Sequence, residues 1–357
     1  MSNLSRLRAA MSEANIPAML VSDIASVKWV TGFTGSFGYV IVTASDALFM
    51  TDSRYAIQVG EQVKEMPNAW FQSPVTLDDF LAEQVSNLGI TKLGFEATSV
   101  TFANFDRWRG KLGAVELVPA PDFISKLRMV KSAAEVDAIR RACGVADACF
   151  AHVQRMIQPG VSEWDISLDI EFFIRRSGYE LAFEPIVVSG ERSARPHGRA
   201  SEKKLEAGDF VTMDFGAKVD GYCSDITRTV VVAEATDRHR EIYAQVLRAE
   251  QSAIQMMRPG VKASEVDALA RTILDEIGLA QYFGHGLGHG LGSLVHDSGR
   301  MNATSADVLE PGQVWTVEPG VYIPGFGGVR IEDDVVVTSD GVEVLTHSDR
   351  SLLVLPV

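Results

Sequence analysis

"LEAGDFVTMDFG", beginning at Leu205, returns 104 positions later as "LEPGQVWTVEPG", beginning at Leu309. Leu205 matches Leu309, Gly208 matches Gly312, Thr212 matches Thr316, and Asp214 falls on Glu318. A second pair of segments behaves likewise: "MIQPGVSEWDI" from Met156 is echoed by "MMRPGVKASEVDA" from Met256, each after an alanine-bearing helical stretch and each opening another. Self-similarity at a fixed spacing marks a duplicated unit, so this region is expected to form two related halves of one domain. "SDITRTVVV" aligns with "IEDDVVV" after a short insertion, setting Asp225 on Glu332. Each half thus carries a pair of acids in the same place.

Simple geometry brings each pair together. Left extended, the eleven positions between Asp214 and Asp225 would span roughly 36 Å. Asp220-Gly221 is a tight-turn signal, and a hairpin there sets Asp214 opposite or diagonal to Asp225, within cross-strand reach. "IPGFGG" at 323–328 allows the same return between Glu318 and Glu332. Asp214-Phe215-Gly216 also spells the magnesium-binding triplet of protein kinases, but the Gly-rich loop, the lysine-bearing strand and the His-Arg-Asp loop that a kinase needs are missing. Four acids among Val, Ile and Phe would repel one another unless a cation compensates them. Two divalent ions bridged by shared carboxylates and a hydroxide balance the charge, and such centres hydrolyse amides and phosphoesters.

"FGHGLGHGLGSLVHD" at 283–297 holds His285, His289 and His296. Its glycines make a helix improbable, and on extended chain His285 and His289 lie roughly 13 Å apart. One ligand and two helpers is the assignment that follows. One imidazole with four carboxylates favours manganese, cobalt, iron or zinc over calcium.

The 357 residues suffice for two domains, and 46% hydrophobic content fills a core in each. The first 120 or so residues alternate strand-like runs such as "PAMLVS" and "GYVIVT" with helical stretches, an α/β pattern. Ser132 and Glu135 then open a long amphipathic helix with Val136, Ile139, Cys143, Ala146 and Phe150 on one face. The expected domains are 1–125 and 126–357. A net charge of −14 argues against nucleic acid. No apolar run approaches the roughly 20 residues of a membrane span, and the N-terminus does not have the form of a signal peptide. Cys143, Cys149 and Cys223 form no Cys-x-x-Cys pair and are odd in number, which fits a reducing, cytoplasmic setting.

"KLRMVKSAAEVDAI", "SGERSARPHGRAS", "GDFVTMDFGAKVDGYCSDITRT", "HGLGHGLGSLVHD" and "TVEPGVYIPGFGGVRIEDD" together resemble the pita-bread metallopeptidases, in particular the branch of Xaa-Pro aminopeptidase and Xaa-Pro dipeptidase (prolidase). The resemblance spans almost the whole chain. It implies an α/β (α+β) architecture, with a creatinase-like N-terminal domain followed by a pseudo-twofold pita-bread catalytic domain, and a homodimer. Carried over residue by residue, it makes Asp214, Asp225, His289, Glu318 and Glu332 the ligands of a dinuclear centre, with manganese the favoured metal and cobalt or zinc the alternatives. It makes His197, His285 and His296 substrate-site histidines, and it sets Arg330 beside the last ligand. In the N-terminal part, Arg54 and Tyr55 of "TDSRY" are candidates to face substrate.

The implied reaction is hydrolysis of the bond between an N-terminal residue and a following proline, in peptides or dipeptides. Metal-activated hydroxide is the nucleophile, Glu318 the general base and then acid. His296 and His197 stabilise the carbonyl oxygen, His285 contributes to the proline pocket, and Arg330 holds a carboxylate ligand. A metal-free relative of creatinase type and a non-catalytic peptide-binding module use the same scaffold, but both depart from the five-ligand set that is complete here. Dipeptidase and aminopeptidase activities share all these residues. Arg54, Arg192, Arg195 and Arg199 are each candidates to cap a substrate carboxylate.

Overall fold

The computed structural model describes residues 2–355. The chain divides into two compact units, Met1–Arg128 and Met129–Val357. None of the described helices is long and apolar enough to cross a membrane.

The first unit is built on six strands: β1 (Ala18–Val21), β2 (Tyr39–Thr43), β3 (Ala47–Asp52), β4 (Asn68–Phe71), β5 (Lys92–Phe95) and β6 (Glu116–Pro119). Their order is β4-β3-β2-β1-β5-β6, with β2 antiparallel to both neighbours and the remaining pairs parallel. Alternation along β1 explains the layering. Met19 and Val21 enter one apolar cluster and Ala18 and Leu20 another, as a period of two requires of a sheet covered on both faces. Helix Asn3–Glu13, capped by Ser2, turns Leu4, Leu7 and Met11 inward.

The second unit opens with helix Ala133–Val153. Ser132 and Glu135 form the capping box, and Val136, Ile139, Cys143, Ala146 and Phe150 lie on its buried face. Its strands are β7 (Glu180–Leu181), β8 (Ile186–Ser189), β9 (Phe210–Phe215), β10 (Ala217–Val219), β11 (Tyr222–Cys223), β12 (Ile226–Val232), β13 (Gly288–Gly290), β14 (Asp297–Met301), β15 (Val314–Val317), β16 (Gly320–Ile323), β17 (Gly327–Arg330), β18 (Asp333–Val337), β19 (Val342–Val344) and β20 (Val354–Leu355). One half is organised around the sheet β20-β12-β9-β8 and the other around β14-β13-β15-β18-β19, with β16-β17 and β11-β10-β7 as smaller ribbons. Helices Glu163–Arg176 and Ala263–Asp275 follow the two Pro-Gly-Val segments.

The sequence repeat is a repeat of backbone. Gly160 N–H donates to Leu205 O and Gly260 N–H to Leu309 O, both at 2.9 Å, while Leu205 and Leu309 return bonds to Val161 and Val261. Gly208 and Gly312 turn the chain at φ 87° and 88°, a left-handed conformation that glycine adopts without steric cost. Each then donates its N–H, at 2.8 Å, to the last residue of the partner strand, Val232 or Val337. Leu205 and Leu309 are buried to the same degree.

Candidate metal centre

The two hairpins deliver their acids in different registers. Asp214 on β9 pairs with Thr227 on β12, so Asp225 lies two residues along as its diagonal neighbour. The turn between β10 and β11 has Asp220 at φ 48° and Gly221 at φ 80°, the positive pair that a tight hairpin of this kind needs. In the other half, Val317 pairs with Asp333 and Gly320 with Arg330, which sets Glu318 directly opposite Glu332. The insertion seen in the alignment is therefore a change of register, and the four carboxylates converge despite it.

His289 sits on β13, the neighbour of β15. Its backbone N–H donates to Thr316 Oγ1 at 3.0 Å, and Thr316 Oγ1 lies 3.4 Å from Glu318 Oε1. The ring Nδ1 faces Gly290 O at 3.2 Å; donation there leaves the Nε2 lone pair directed at Asp225 Oδ2, 3.6 Å away, and Glu318 Oε1, 3.5 Å away. Burial, and then His296, push the imidazole down to about 3, so it stays neutral. Two carboxyl groups and a neutral imidazole crowd together here, an arrangement that a cation resolves.

The surrounding charges say the same. Asp225 and Glu332 are pushed well above the usual carboxylate range, first by burial and then by the neighbouring acids. Glu318 is pushed up to about 8, again by burial first, with Arg330 opposing. Asp214 Oδ1 and Asp225 Oδ1 are buried and have no hydrogen-bond partner, although buried polar atoms are normally satisfied. One ligand atom each from Asp225, His289 and Glu332 lies within 4.8 Å of the others. An oxygen-rich set with one imidazole fits first-row divalent ions, so the residues present fit the metal that their spacing predicts.

Arg330 Nη2 donates to Asp214 Oδ2 at 2.5 Å, Nε to Thr227 Oγ1 at 2.9 Å, and Nη1 to Tyr322 Oη at 2.8 Å and Pro196 O at 3.3 Å. Thr227 Oγ1 in turn donates to Glu332 Oε2 at 2.6 Å. Tyr322 Oη lies 2.8 Å from His285 Nε2, and His285 Nδ1 lies 2.8 Å from Gly286 O; with Nδ1 donating to that carbonyl, the phenol donates to Nε2. Burial, and then Arg330, push His285 down to about 4. Beneath Asp225, Asp334 Oδ2 accepts the Asp225 N–H at 2.9 Å and the Cys143 thiol at 3.3 Å. The sequence assigns no role to Thr227, Tyr322 or Asp334, and marks Thr316 only as the counterpart of Thr212. The available signal was polar residues inside strands buried on both faces, such as "ITRTVVV".

A cavity of about 390 Å³ opens over this cluster, walled by Phe183, Ile186 and Val295 and by His197, His285, His296, Arg300 and Asn302. The His289 and His296 rings lie 4.4 Å apart. Of the arginines proposed as caps, Arg192 is bound to buried Glu163, and Arg199 lies 3.8 Å from Glu184. Arg54 is bound to Asp52 at 2.7 Å and Tyr55 to Ser36 at 2.7 Å, all within the first unit. Arg300, absent from that set, lines the cavity; its Nη1 is held by Asp297 O and Gly299 O, both at 2.8 Å.

Comparison with known proteins places this geometry in context. Residues 137–339 match the model of metallopeptidase family M24, and residues 3–130 match that of the creatinase/prolidase N-terminal domain. A protein named Xaa-Pro dipeptidase from Pyrococcus horikoshii is 36% identical over 96% of each chain. The solved structure of an Xaa-Pro dipeptidase from Bacillus anthracis superimposes with a TM-score of 0.95 at 44% identity, covering 99% of both chains. An X-Pro aminopeptidase from Thermotoga maritima superimposes at 0.90 with 34% identity, over 97% of this chain and 99% of its own.

Proposed function

The chain belongs to metallopeptidase family M24, and from that membership we propose that it is an Xaa-Pro-specific exopeptidase, cleaving the bond between a first residue and a following proline. One observation carries the reading. Asp214, Asp225, His289, Glu318 and Glu332 converge from both halves on one cavity, and Asp214 Oδ1 and Asp225 Oδ1 are buried without a hydrogen-bond partner. These five residues are the proposed ligands of two divalent ions, manganese before cobalt or zinc. Such ions, when bound, supply Lewis acidity and acidify the water they hold.

The chain's own groups do the rest. Glu318 takes the water's proton and delivers it to the proline nitrogen, which, as part of a tertiary amide, has no proton of its own. His296 and His197, at the cavity wall, donate to the carbonyl oxygen as negative charge develops. His285, its ring oriented by Tyr322, forms part of the proline pocket. Arg330 fixes Asp214 and acts through it.

Arg300 gives the finer reading. Arg330 directs four of its five N–H groups to Asp214, Thr227, Tyr322 and Pro196, whereas the side-chain hydrogen bonds of Arg300, also at the cavity, use only Nη1. A guanidinium there suits the carboxylate of a C-terminal proline, which favours the dipeptidase over the aminopeptidase. A homodimer in the cytoplasm completes the proposal; the three free, buried cysteines fit a reducing compartment. Metal analysis and chromatography of Xaa-Pro and Xaa-Pro-Yaa-Zaa digests test it. About two ions per chain with release of free proline is expected, and efficient cutting of the tetrapeptide would refute the dipeptidase. A metal-free, inert protein would refute the whole reading.

A further inference from the structure

We propose that Glu163 and Asp267 are positioning residues, each a buried carboxylate that fixes the loop bearing one substrate histidine: His197 for Glu163 and His285 for Asp267. The assignment rests on the proposed function above for what the two histidines do.

Glu163 stands in the first turn of helix Glu163–Arg176, where an acid is normally solvated and merely complements the helix dipole. Here it is fully buried. Its Oε1 accepts from Ser189 N at 2.7 Å, Ser189 Oγ at 3.0 Å and Arg192 Nε at 3.1 Å. Its Oε2 accepts from Arg192 Nε at 3.0 Å, Ser201 N at 3.1 Å and Ser201 Oγ at 2.7 Å. Ser189 and Ser201 are the two ends of the loop in which Pro196 and His197 line the cavity. One side chain therefore closes that loop at both ends, and a third point is pinned by Ser193 Oγ accepting from Gly328 N at 2.8 Å.

Asp267 does the same work from the other helix. It is fully buried, and its Oδ1 accepts from Leu287 N at 3.1 Å. Arg271 binds it at 2.8 and 3.1 Å and reaches on to Phe283 O at 2.9 Å and to His285 O. The guanidinium also lies over the Phe283 ring, 4.3 Å from its centroid.

The duplication supplies an internal control. The two helices bury matching residues, Ile166, Ile170 and Ile174 against Val266, Ala270 and Leu274. In that alignment Glu163 falls on Ala263, and Asp267 falls on Ser167. Neither acid is demanded by the helix or its packing, since the twin helix does without it. Each stands where the donors of the histidine loop in its own half converge, and burying a carboxylate is tolerated only with such a complete set of donors.

The test compares Glu163→Gln and Asp267→Asn with wild type in metal content, melting, kcat and KM on Xaa-Pro, and tryptic cleavage of the Arg199–Ala200 bond. A misplacement of about 1 Å costs up to about 100-fold. Glu163→Gln should therefore lower kcat about tenfold or more through His197, with KM little changed, and should speed cleavage at Arg199. Asp267→Asn should instead raise KM about tenfold through His285, with kcat less affected. Metal content should stay at the wild-type level in both. Wild-type kcat and wild-type proteolysis in Glu163→Gln, or wild-type KM in Asp267→Asn, would overturn the assignment. If either variant fails to melt cooperatively, Arg192→Gln and Arg271→Gln replace them, since replacing either of these partly exposed arginines removes only part of a clamp. The same shifts in smaller measure are then expected, and unchanged values refute the clamp. Should wild type itself not hydrolyse Xaa-Pro, the functional reading fails, while the proteolysis arm still decides whether Glu163 holds the loop.

Discussion

Replacing Thr227 by valine removes one oxygen and keeps the shape. That oxygen is completely buried and stands between a carboxyl and a guanidinium, donating to Glu332 Oε2 at 2.6 Å and accepting from Arg330 Nε at 2.9 Å. A hydrogen bond to a charged group is worth about 1.5–3 kcal/mol net, and the stranded partners stay desolvated. With Arg330 charged and Glu332 raised well above the usual carboxylate range, the two bonds together set the expected loss at about 2 kcal/mol or more. Denaturant unfolding of chelator-treated protein reads this directly. In the metal-loaded protein, freeing Glu332 and Arg330 from a common partner should weaken metal affinity by about 10- to 100-fold, measured by competition with a chelator of known affinity. Thr227→Ser restores the hydroxyl and should recover most of both losses. If the valine variant loses less than about 1 kcal/mol and binds metal normally, or if serine does no better than valine, the bridge is not what orients Glu332.

Asp225→Asn should leave the circular dichroism spectrum intact and lower kcat/KM by at least about 100-fold; full activity would mean the ligand assignment is wrong. Gly290→Ala would put a Cβ 1.8 Å from Ser298 O, a backbone atom that cannot step aside, so calorimetry should show a loss of about 3 kcal/mol or a failure to fold. Glu250 is pushed up to about 9, by burial first and then by Asp333, while Asp333 is lowered, so the buried pair holds one proton on Glu250. Because the native carboxyl keeps its proton above the ordinary value, this contribution to stability is complete below about pH 4.5 and is lost as pH rises toward about 9. Urea titrations across that range should show wild type weakening relative to Glu250→Gln, and parallel curves would refute the shared proton.

Much of the site could be read without coordinates, because its residues announce themselves locally. Asp220-Gly221 fixes a turn by backbone preference alone, and the matched Gly208 and Gly312 mark equivalent turns in the two halves. The duplicated acids then stand out by repetition. Thr227, Tyr322 and Asp334 gave no such signal, since each matters through a partner on a different strand or helix: Thr227 through Glu332, Tyr322 through His285, Asp334 through Asp225 and Cys143. Arg300 was passed over for arginines nearer recognisable motifs, one of which, Arg192, turned out to be bound to Glu163.

Composition, period and repetition determined the kind of molecule: two units, one of them duplicated, with acids and a histidine set to meet. Those properties follow from forces acting over a few residues, namely steric limits on φ and the burial of alternate side chains, and they are written in neighbouring letters. Only the folded chain decided which side chains face one another, that Glu318 lies directly opposite Glu332 while Asp225 lies diagonal to Asp214, and which loops the two helix acids bind. Hydrogen bonds of that sort depend on distance to within a few tenths of an ångström between groups far apart in the chain, and such distances exist only once the strands have packed.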